Sequence, residues 1–311
     1  MNIMFMGTPE FACVSLRMLK ENGYNVTSVV TTEDKPRGRG HKMTHPDVYT
    51  EAENLGIERI YQPLNLKKEN FEEILKSEKP DLIAVVAYGK LLPEYVLNYP
   101  KYGCINVHGS LLPKYRGAAP MQWCLIDGEK ETGVTTMYMD KGLDTGDMLL
   151  KASIPLTDED NFGTVHDKLA VLGANLLIQT IEALKNGAVK RIPQGETTTH
   201  YAEMITRETT KIDWNKSAME IFNLIRGLTP FPKATCVYEE KGLKILKTSV
   251  CSYSSDAQCG EIISVNADSF EVCCGSGTVL KVFEIQPEAK KAMTVKDYLM
   301  GNEIKKGTFL K

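Results

Sequence analysis

Three side chains near the middle of this sequence have the types and spacing for chemistry at a carbonyl carbon. Asn106 and His108 stand two apart at the end of the run Gly103-Cys-Ile-Asn-Val-His108, and Asp144 lies within Gly142-Leu-Asp-Thr-Gly146. Side chains two apart on an extended strand project from one face, so both would meet the same ligand. An asparagine amide is a neutral donor, and an imidazole donates or takes a proton near neutral pH. Together they suit a carbonyl oxygen that gains negative charge as a nucleophile adds. A carboxylate set between glycines, as Asp144 is, can pair with His108 and take the proton that an attacking amine must lose.

Plainer roles fit the same residues. Asn106 and His108 can simply cap a strand end, and Asp144 can stabilise a turn. A metal set of His108, Asp144 and His166 lacks compact ligand spacing. His108-Gly-Ser110-Leu is not the strained Gly-x-Ser-x-Gly turn of a serine nucleophile. The next residues favour a site. In Ser110-Leu-Leu-Pro-Lys-Tyr-Arg-Gly-Ala-Ala-Pro120, the residues Leu111, Leu112 and Pro113 can wall an apolar pocket, while Arg116 can hold an anion or fix the loop.

These residues need a frame, and the first two-thirds of the chain predicts one. Apolar runs at Asn2–Met6, Val26–Thr31, Asp81–Ala87, Gly103–Val107 and Thr132–Met137 read as strands. Helical periodicity covers Pro9–Asn22, Glu69–Ser77 and Thr164–Lys185; Thr8 can cap the first helix and Pro9 suits its first turn. Strand–helix alternation of this kind predicts an α/β fold, a Rossmann-like and mostly parallel sheet with helices on both faces. Ligands of such sheets bind beyond the carboxyl ends of the strands, where Ala87–Pro93, Asn106–Pro120 and Asp140–Asp147 all fall. The first turn, Gly7-Thr-Pro-Glu, lacks the Gly-x-Gly-x-x-Gly of a dinucleotide site, and Pro9 has no backbone donor to offer a pyrophosphate. A dehydrogenase reading therefore loses its main support.

Gly187 to about Thr206 shows no period and reads as a linker. Beyond it come a helix at Ser217–Arg226, short strands at Ala234–Tyr238, Lys244–Cys251, Gly260–Val265, Phe270–Cys274 and Val279–Ile285, and a last helix at Val295–Met300. That pattern predicts a small β-barrel. The expected division is a catalytic domain at 1–189, a linker at 190–206 and the barrel at 207–311.

The 311 residues carry a net charge of −3, so no global basic field attracts nucleic acid, and any RNA contact has to be local. From Arg207 onward there are 15 Lys and Arg against 13 Asp and Glu, an excess of +2 that leaves −5 on the rest. The eight cysteines form no Cys-x-x-Cys pair, which points to reduced thiols. The apolar start Met1–Met6 is too short for a signal segment, and no run reaches membrane-spanning length. An intracellular, cytoplasmic protein with no membrane contact is the expectation.

With these motifs assembled, the chain resembles the folate-dependent formyltransferases. The likeness runs through Met6-Gly-Thr-Pro-Glu-Phe-Ala, Val86-Ala-Tyr-Gly-Lys-Leu-Leu-Pro93, Gly103–Pro113, Tyr115-Arg-Gly-Ala-Ala-Pro120 and Gly142-Leu-Asp-Thr-Gly-Asp147. It implies that Asn106, His108 and Asp144 are the catalytic trio. It also implies that 10-formyltetrahydrofolate is the formyl donor, held by Tyr88, Gly89, Lys90, Leu91 and Leu92 and by Ser110, Leu111, Leu112 and Pro113, with no metal. Members of the family differ in acceptor: a charged tRNA, a purine precursor, an amino sugar or water. Two features resemble the tRNA-directed members. The loop Asp34-Lys-Pro-Arg-Gly-Arg-Gly-His-Lys42 matches one that enters the acceptor-stem end, which makes Arg37, Arg39, His41 and Lys42 the expected tRNA contacts. Lys211-Ile-Asp-Trp214 and Ile225-Arg-Gly-Leu-Thr-Pro-Phe-Pro232 resemble the start of the family's C-terminal open barrel of oligonucleotide-binding type. The implied reaction is formylation of the α-amine of methionine on initiator Met-tRNA, by a chain acting as a monomer.

Overall fold

The computed structural model describes residues 1–37 and 42–311, with the backbone alone for Arg37 and Lys42. Its first elements are β1 (Asn2–Gly7), α1 (Glu10–Glu21), β2 (Asn25–Val30), β3 (Lys35–Arg37), β4 (Lys42–Thr44), α2 (Asp47–Asn54), β5 (Ile60–Tyr61) and α3 (Lys68–Glu78). There follow β6 (Leu82–Val86), α4 (Glu94–Leu97), β7 (Cys104–His108), α5 (Pro120–Ile126), β8 (Glu131–Tyr138), β9 (Met148–Pro155) and α6 (Phe162–Lys185). The remainder holds α7 (Ala218–Leu228), β10 (Ala234–Tyr238), β11 (Lys241–Ser254), β12 (Ile262–Val265), β13 (Phe270–Cys273), β14 (Thr278–Pro287), β15 (Met293–Thr294) and α8 (Val295–Leu299). The chain divides into two compact units: Met1–Gly117 with Glu131–Ile154 and His166–Ala202, and Ala118–Lys130 with Pro155–Val165 and Glu203–Lys311.

The first unit is built on a seven-stranded sheet in the order β5-β2-β1-β6-β7-β8-β9. The strands from β5 to β7 pair parallel, and β8 runs antiparallel to β7. The apolar strands predict this arrangement, because a strand covered on both faces needs apolar residues throughout. Ile3, Met4, Phe5, Met6, Leu82, Ile83 and Ala84 are all fully buried. The chain goes out from β1 through β2 to β5 and returns to β6 on the other side of β1, so β1 and β6 flank the topological switch point. Thr8 is not the cap of α1. Pro9 holds that position, and the Thr8 hydroxyl instead donates to the Tyr88 carbonyl at 3.0 Å, tying the two loops across the switch point. Strand β9 has no counterpart among the predicted elements, because Lys151, Ser153 and Pro155 interrupt its apolar character.

The second unit contains an antiparallel sheet in the order β10-β11-β14-β13-β12, with β15 on β14. The last residues close it. Phe309 bridges Glu261 beside β12, and Leu310 bridges Tyr238 at the end of β10. The Leu310 N–H donates to Gly260 at 2.9 Å, and the Val237 N–H donates to Lys311 at 2.6 Å. Joining the two sheet edges in this way makes the predicted barrel. Helix α7 packs Ile221, Phe222, Ile225 and Leu228 into the core, and Ser217 and Glu220 form a reciprocal capping box at its start. Its buried Arg226 donates to Asn223 Oδ1 at 2.9 Å and to the Thr157 carbonyl at 3.0 Å. All eight cysteines are free thiols, and burial pushes Cys13, Cys104, Cys236 and Cys274 up to about 12.

Candidate active site

Strand β7 delivers the Asn-x-His pair to the carboxyl edge of the sheet. Asn106 pairs with Val85 of β6 and with Met137 of β8, and His108 pairs with Thr135. Asn106 is partly exposed, and its side-chain amide makes no hydrogen bond among the described residues. His108 is only 5% exposed, and both of its ring nitrogens have neighbours. Nε2 lies 3.0 Å from the Tyr115 carbonyl. A carbonyl only accepts, so this contact requires the proton to be on Nε2. Nδ1 faces Asp144 Oδ2 at 3.7 Å, an ion-pair distance rather than a hydrogen bond.

Asp144 reaches that position through the hairpin loop between β8 and β9. Asp140 Oδ1 accepts from the Gly142 N–H at 3.0 Å and from the Thr145 hydroxyl at 2.7 Å, which curls the loop on itself. Asp144 takes a left-handed backbone conformation with φ of 56°. Gly146 lets the loop close, because a Cβ there would lie 1.9 Å from the Tyr138 carbonyl oxygen. The Asp144 carboxylate accepts the Gly117 N–H at 3.0 Å through the oxygen that faces His108. Gly117 has φ of 129°, and a Cβ on it would meet the Ala202 carbonyl oxygen at 2.5 Å, so glycine is needed on both counts.

The loop after β7 is held from beneath by β8 and β9. Thr135, fully buried, donates to the Ser110 carbonyl at 2.7 Å and accepts the Leu112 N–H at 3.1 Å. Lys151 donates to the Leu112 carbonyl, and partial burial lowers its ammonium below the usual lysine range. Ser110 spends its own hydroxyl on the Lys114 carbonyl at 2.6 Å. Leu112 is fully buried with Met137 and Met148, which leaves Leu111 and Pro113 as the apolar residues still partly exposed.

The segment after β6 reaches the same edge. The Tyr88 ring is in the core with Met4, Met6 and Val30, and burial raises its phenol well above the ordinary value. Leu92 is buried there too. What this segment exposes is Gly89, where a Cβ would meet nothing within 4 Å, and Leu91, 66% exposed. Lys90 is tied down by the carbonyls of Pro63 and Leu64 at 2.9 and 3.1 Å and by Glu33 at 3.4 Å. Open backbone beside an exposed leucine fits a flat, polar-edged heterocycle such as a pterin. The basic loop lies between β3 and β4, whose terminal pair is Arg37 and Lys42. Arg39 and His41, and the side chains of Arg37 and Lys42, lie outside the described residues. The base of that hairpin is fixed by Asp34, which accepts from Gln62 at 2.7 Å and sits 2.8 Å from His45 Nδ1.

Residues 1–181 match the family model described as formyl transferase, and residues 204–303 match that of the formyl transferase C-terminal domain. The chain belongs to the formyl transferase family. This formyl transferase is 49% identical over 312 residues to the methionyl-tRNA formyltransferase of Caldanaerobacter subterraneus subsp. tengcongensis, covering 100% of both chains. Among solved structures it resembles WlaRD, a sugar 3N-formyl transferase determined with dTDP and 5-N-formyl-THF. The TM-score there is 0.67 at 19% identity, over 94% of this chain and 99% of that one. It also resembles HypX from Aquifex aeolicus, with a TM-score of 0.65 at 14% identity, and covers 99% of itself but 53% of that longer chain.

Several groups at this formyl transferase's site carry no signal in the sequence. The Tyr115 carbonyl and the Gly117 N–H act through backbone, which any residue supplies. Thr135 and Lys151 are ordinary strand residues until the fold sets them under Leu112. Among the described residues, no three His, Cys, Asp or Glu side chains gather as a metal site requires, and no helix is long and apolar enough to cross a membrane.

Proposed function

We propose that this formyl transferase moves the formyl group of 10-formyltetrahydrofolate to the α-amine of methionine on initiator Met-tRNA, yielding formylmethionyl-tRNA for translation initiation. The observation that carries this reading is the 49% identity, end to end, with a methionyl-tRNA formyltransferase, in a chain whose sheet edge gathers Asn106, His108 and Asp144.

The chemistry follows from the donors. The unengaged Asn106 amide and the Nδ1 proton of His108 stabilise the oxygen that becomes negative when an amine adds to the formyl carbon. Asp144 neutralises the imidazolium and takes the amine's proton. Collapse then returns a proton to the departing folate nitrogen. Gly89 to Leu91 receive the pterin, and Leu111 and Pro113 line the other side. Tyr88, Leu92, Ser110 and Leu112 serve that pocket through backbone and by filling the core beneath it. Arg37, Arg39, His41 and Lys42 contact the acceptor end of the tRNA, as guanidinium and ammonium groups suit phosphate and base edges. The barrel of 207–311, with its small positive excess, adds a salt-sensitive term. The chain works as a cytoplasmic monomer.

The test offers the purified protein 10-formyltetrahydrofolate together with Met-tRNA, other charged tRNAs, or small amines including amino sugars. Formylation of Met-tRNA is the expected result. A protein that formylates a sugar amine and leaves Met-tRNA untouched would overturn the assignment of the acceptor.

A further inference from the structure

The stretch after α6 has no regular structure, yet it is bonded to the site at five points. Ile192 exchanges both backbone hydrogen bonds with Met148, each at 2.9 Å, which lays the stretch beside the start of β9. Gln194 then uses both ends of its amide. Nε2 donates to the Asp144 carbonyl at 2.9 Å and to the Gly146 carbonyl at 2.7 Å, and Oε1 accepts from Arg116 Nε at 2.8 Å. Arg116 also donates to the Gly195 carbonyl at 3.0 Å. Further on, Thr199 Oγ1 accepts the Tyr115 N–H at 2.8 Å, and the Ala202 N–H donates to the Arg116 carbonyl at 2.8 Å.

These bonds end on the groups that place the two ionisable residues of the site. Tyr115 supplies the carbonyl under His108 Nε2, and Gly117 supplies the N–H on the Asp144 carboxylate. Asp144 itself stands in a left-handed conformation, which a non-glycine residue keeps where its surroundings hold it. The Gln194 amide holds it by bonding the Asp144 carbonyl. A side chain bonded to one loop carbonyl would only stabilise that loop. Gln194 bonds two carbonyls of the Asp144 loop and the guanidinium of the Tyr115–Gly117 loop, so it fixes the distance between them.

We infer that Gln194 is a positioning residue for formyl transfer. Together with Thr199 and Ala202 it makes residues 192–202 a brace that sets the spacing of His108 and Asp144, rather than a passive connection between the two family domains. The inference rests on the formyl-transfer reading above. It goes beyond that reading because the Gln194 amide bonds Arg116 and two loop carbonyls, and not the side chains of Asn106, His108 or Asp144.

The experiment compares the wild type with Gln194→Met, which keeps length and volume but loses all three hydrogen bonds, and with Gln194→Glu. The glutamate keeps an acceptor for Arg116 but faces the Asp144 and Gly146 carbonyls with a charge instead of two donors. Both variants lower kcat on the order of 10- to 100-fold, as displacement of catalytic groups by about 1 Å does, with KM for donor and acceptor within about threefold of wild type. The pH–rate profile of the remaining activity changes shape, because proton transfer in the site depends on how its donor and acceptor are placed. Thermal melts monitor folding. If both glutamine variants unfold, Thr199→Val, which removes the hydroxyl that accepts the Tyr115 N–H and otherwise meets only the Thr197 hydroxyl at 3.1 Å, carries the same kcat and pH-profile test. Wild-type kcat and profile in a folded Gln194→Met, or in Thr199→Val where that stands in, would overturn the inference. A lower kcat with the pH profile unmoved would reduce Gln194 to a structural residue and would overturn it as well. Failure of the wild type to formylate any acceptor would instead bring down the formyl-transfer reading itself.

Discussion

Replacing Thr135 with valine removes one hydroxyl from a fully buried position and changes almost nothing else in shape. That hydroxyl links Thr135 to two backbone groups of the loop after β7, the Ser110 carbonyl at 2.7 Å and the Leu112 N–H at 3.1 Å. Each buried hydrogen bond contributes about 0.5–1.5 kcal/mol, and each buried partner left unpaired costs roughly 1–3 kcal/mol. Two losses of this kind in one loop, partly offset by relaxation, come to about 3 kcal/mol. At roughly 2–4 °C per kcal/mol for a unit of this size, the melting temperature falls by roughly 6–12 °C. Lys151 still holds the Leu112 carbonyl, so the loop loosens at its start rather than detaching. The donor KM therefore rises while the tRNA KM stays put. Thr135→Ser, which keeps the hydroxyl and loses a methyl worth about 1 kcal/mol, serves as the control. Melting by circular dichroism and initial rates over a donor titration read both effects. A Thr135→Val protein that melts with the wild type, or one whose donor KM matches that of Thr135→Ser, would refute the assignment of the hydroxyl as the clip.

Other perturbations separate chemistry, barrel and hairpin. Asp144→Asn keeps an oxygen for the Gly117 N–H but cannot take a proton, so kcat falls by about 10²- to 10⁴-fold with both KM values little changed; steady-state rates decide this. Leu310→Ala empties a site that is 3% exposed where the terminal residues join the barrel edges. It costs about 2–4 kcal/mol, visible as a lower midpoint in urea unfolding. Hydrogen bonds from Gln62 and then His45 hold the Asp34 carboxyl below the usual aspartate range. With the folded value depressed, its contribution is complete above the unfolded value of about 3.9 and is lost as pH falls through the folded one. Melting temperatures of wild type and Asp34→Asn should therefore differ near neutrality and converge as the pH drops below that range.

The sequence by itself settled matters that depend on local periodicity and on residue chemistry. Strands apolar throughout require cover on both faces, so β1 and β6 were legible as strands of a mostly parallel sheet. The two-residue spacing of Asn106 and His108 put them on one side of β7, and the glycines around Asp144 marked a tight loop. Short strands after Ala234 announced a barrel. Other features were decided only when distant segments met. Leu112 looked like a pocket wall because it is apolar, and the family resemblance implied the same for Tyr88, yet each has its ring or branch in the core, where apolar area is better removed from water. The Thr8 hydroxyl had a helix to cap and found the Tyr88 carbonyl instead. The barrel closes through residues 309–311, too few to show a strand pattern. Gln194, in a stretch without period, gives no sign of purpose until its amide lies between Asp144 and Arg116. Periodicity reports which face of an element is buried. Which backbone carbonyl lies within 3 Å of a particular amide depends on where a chain returns 50 positions later, and only the tertiary structure fixes that.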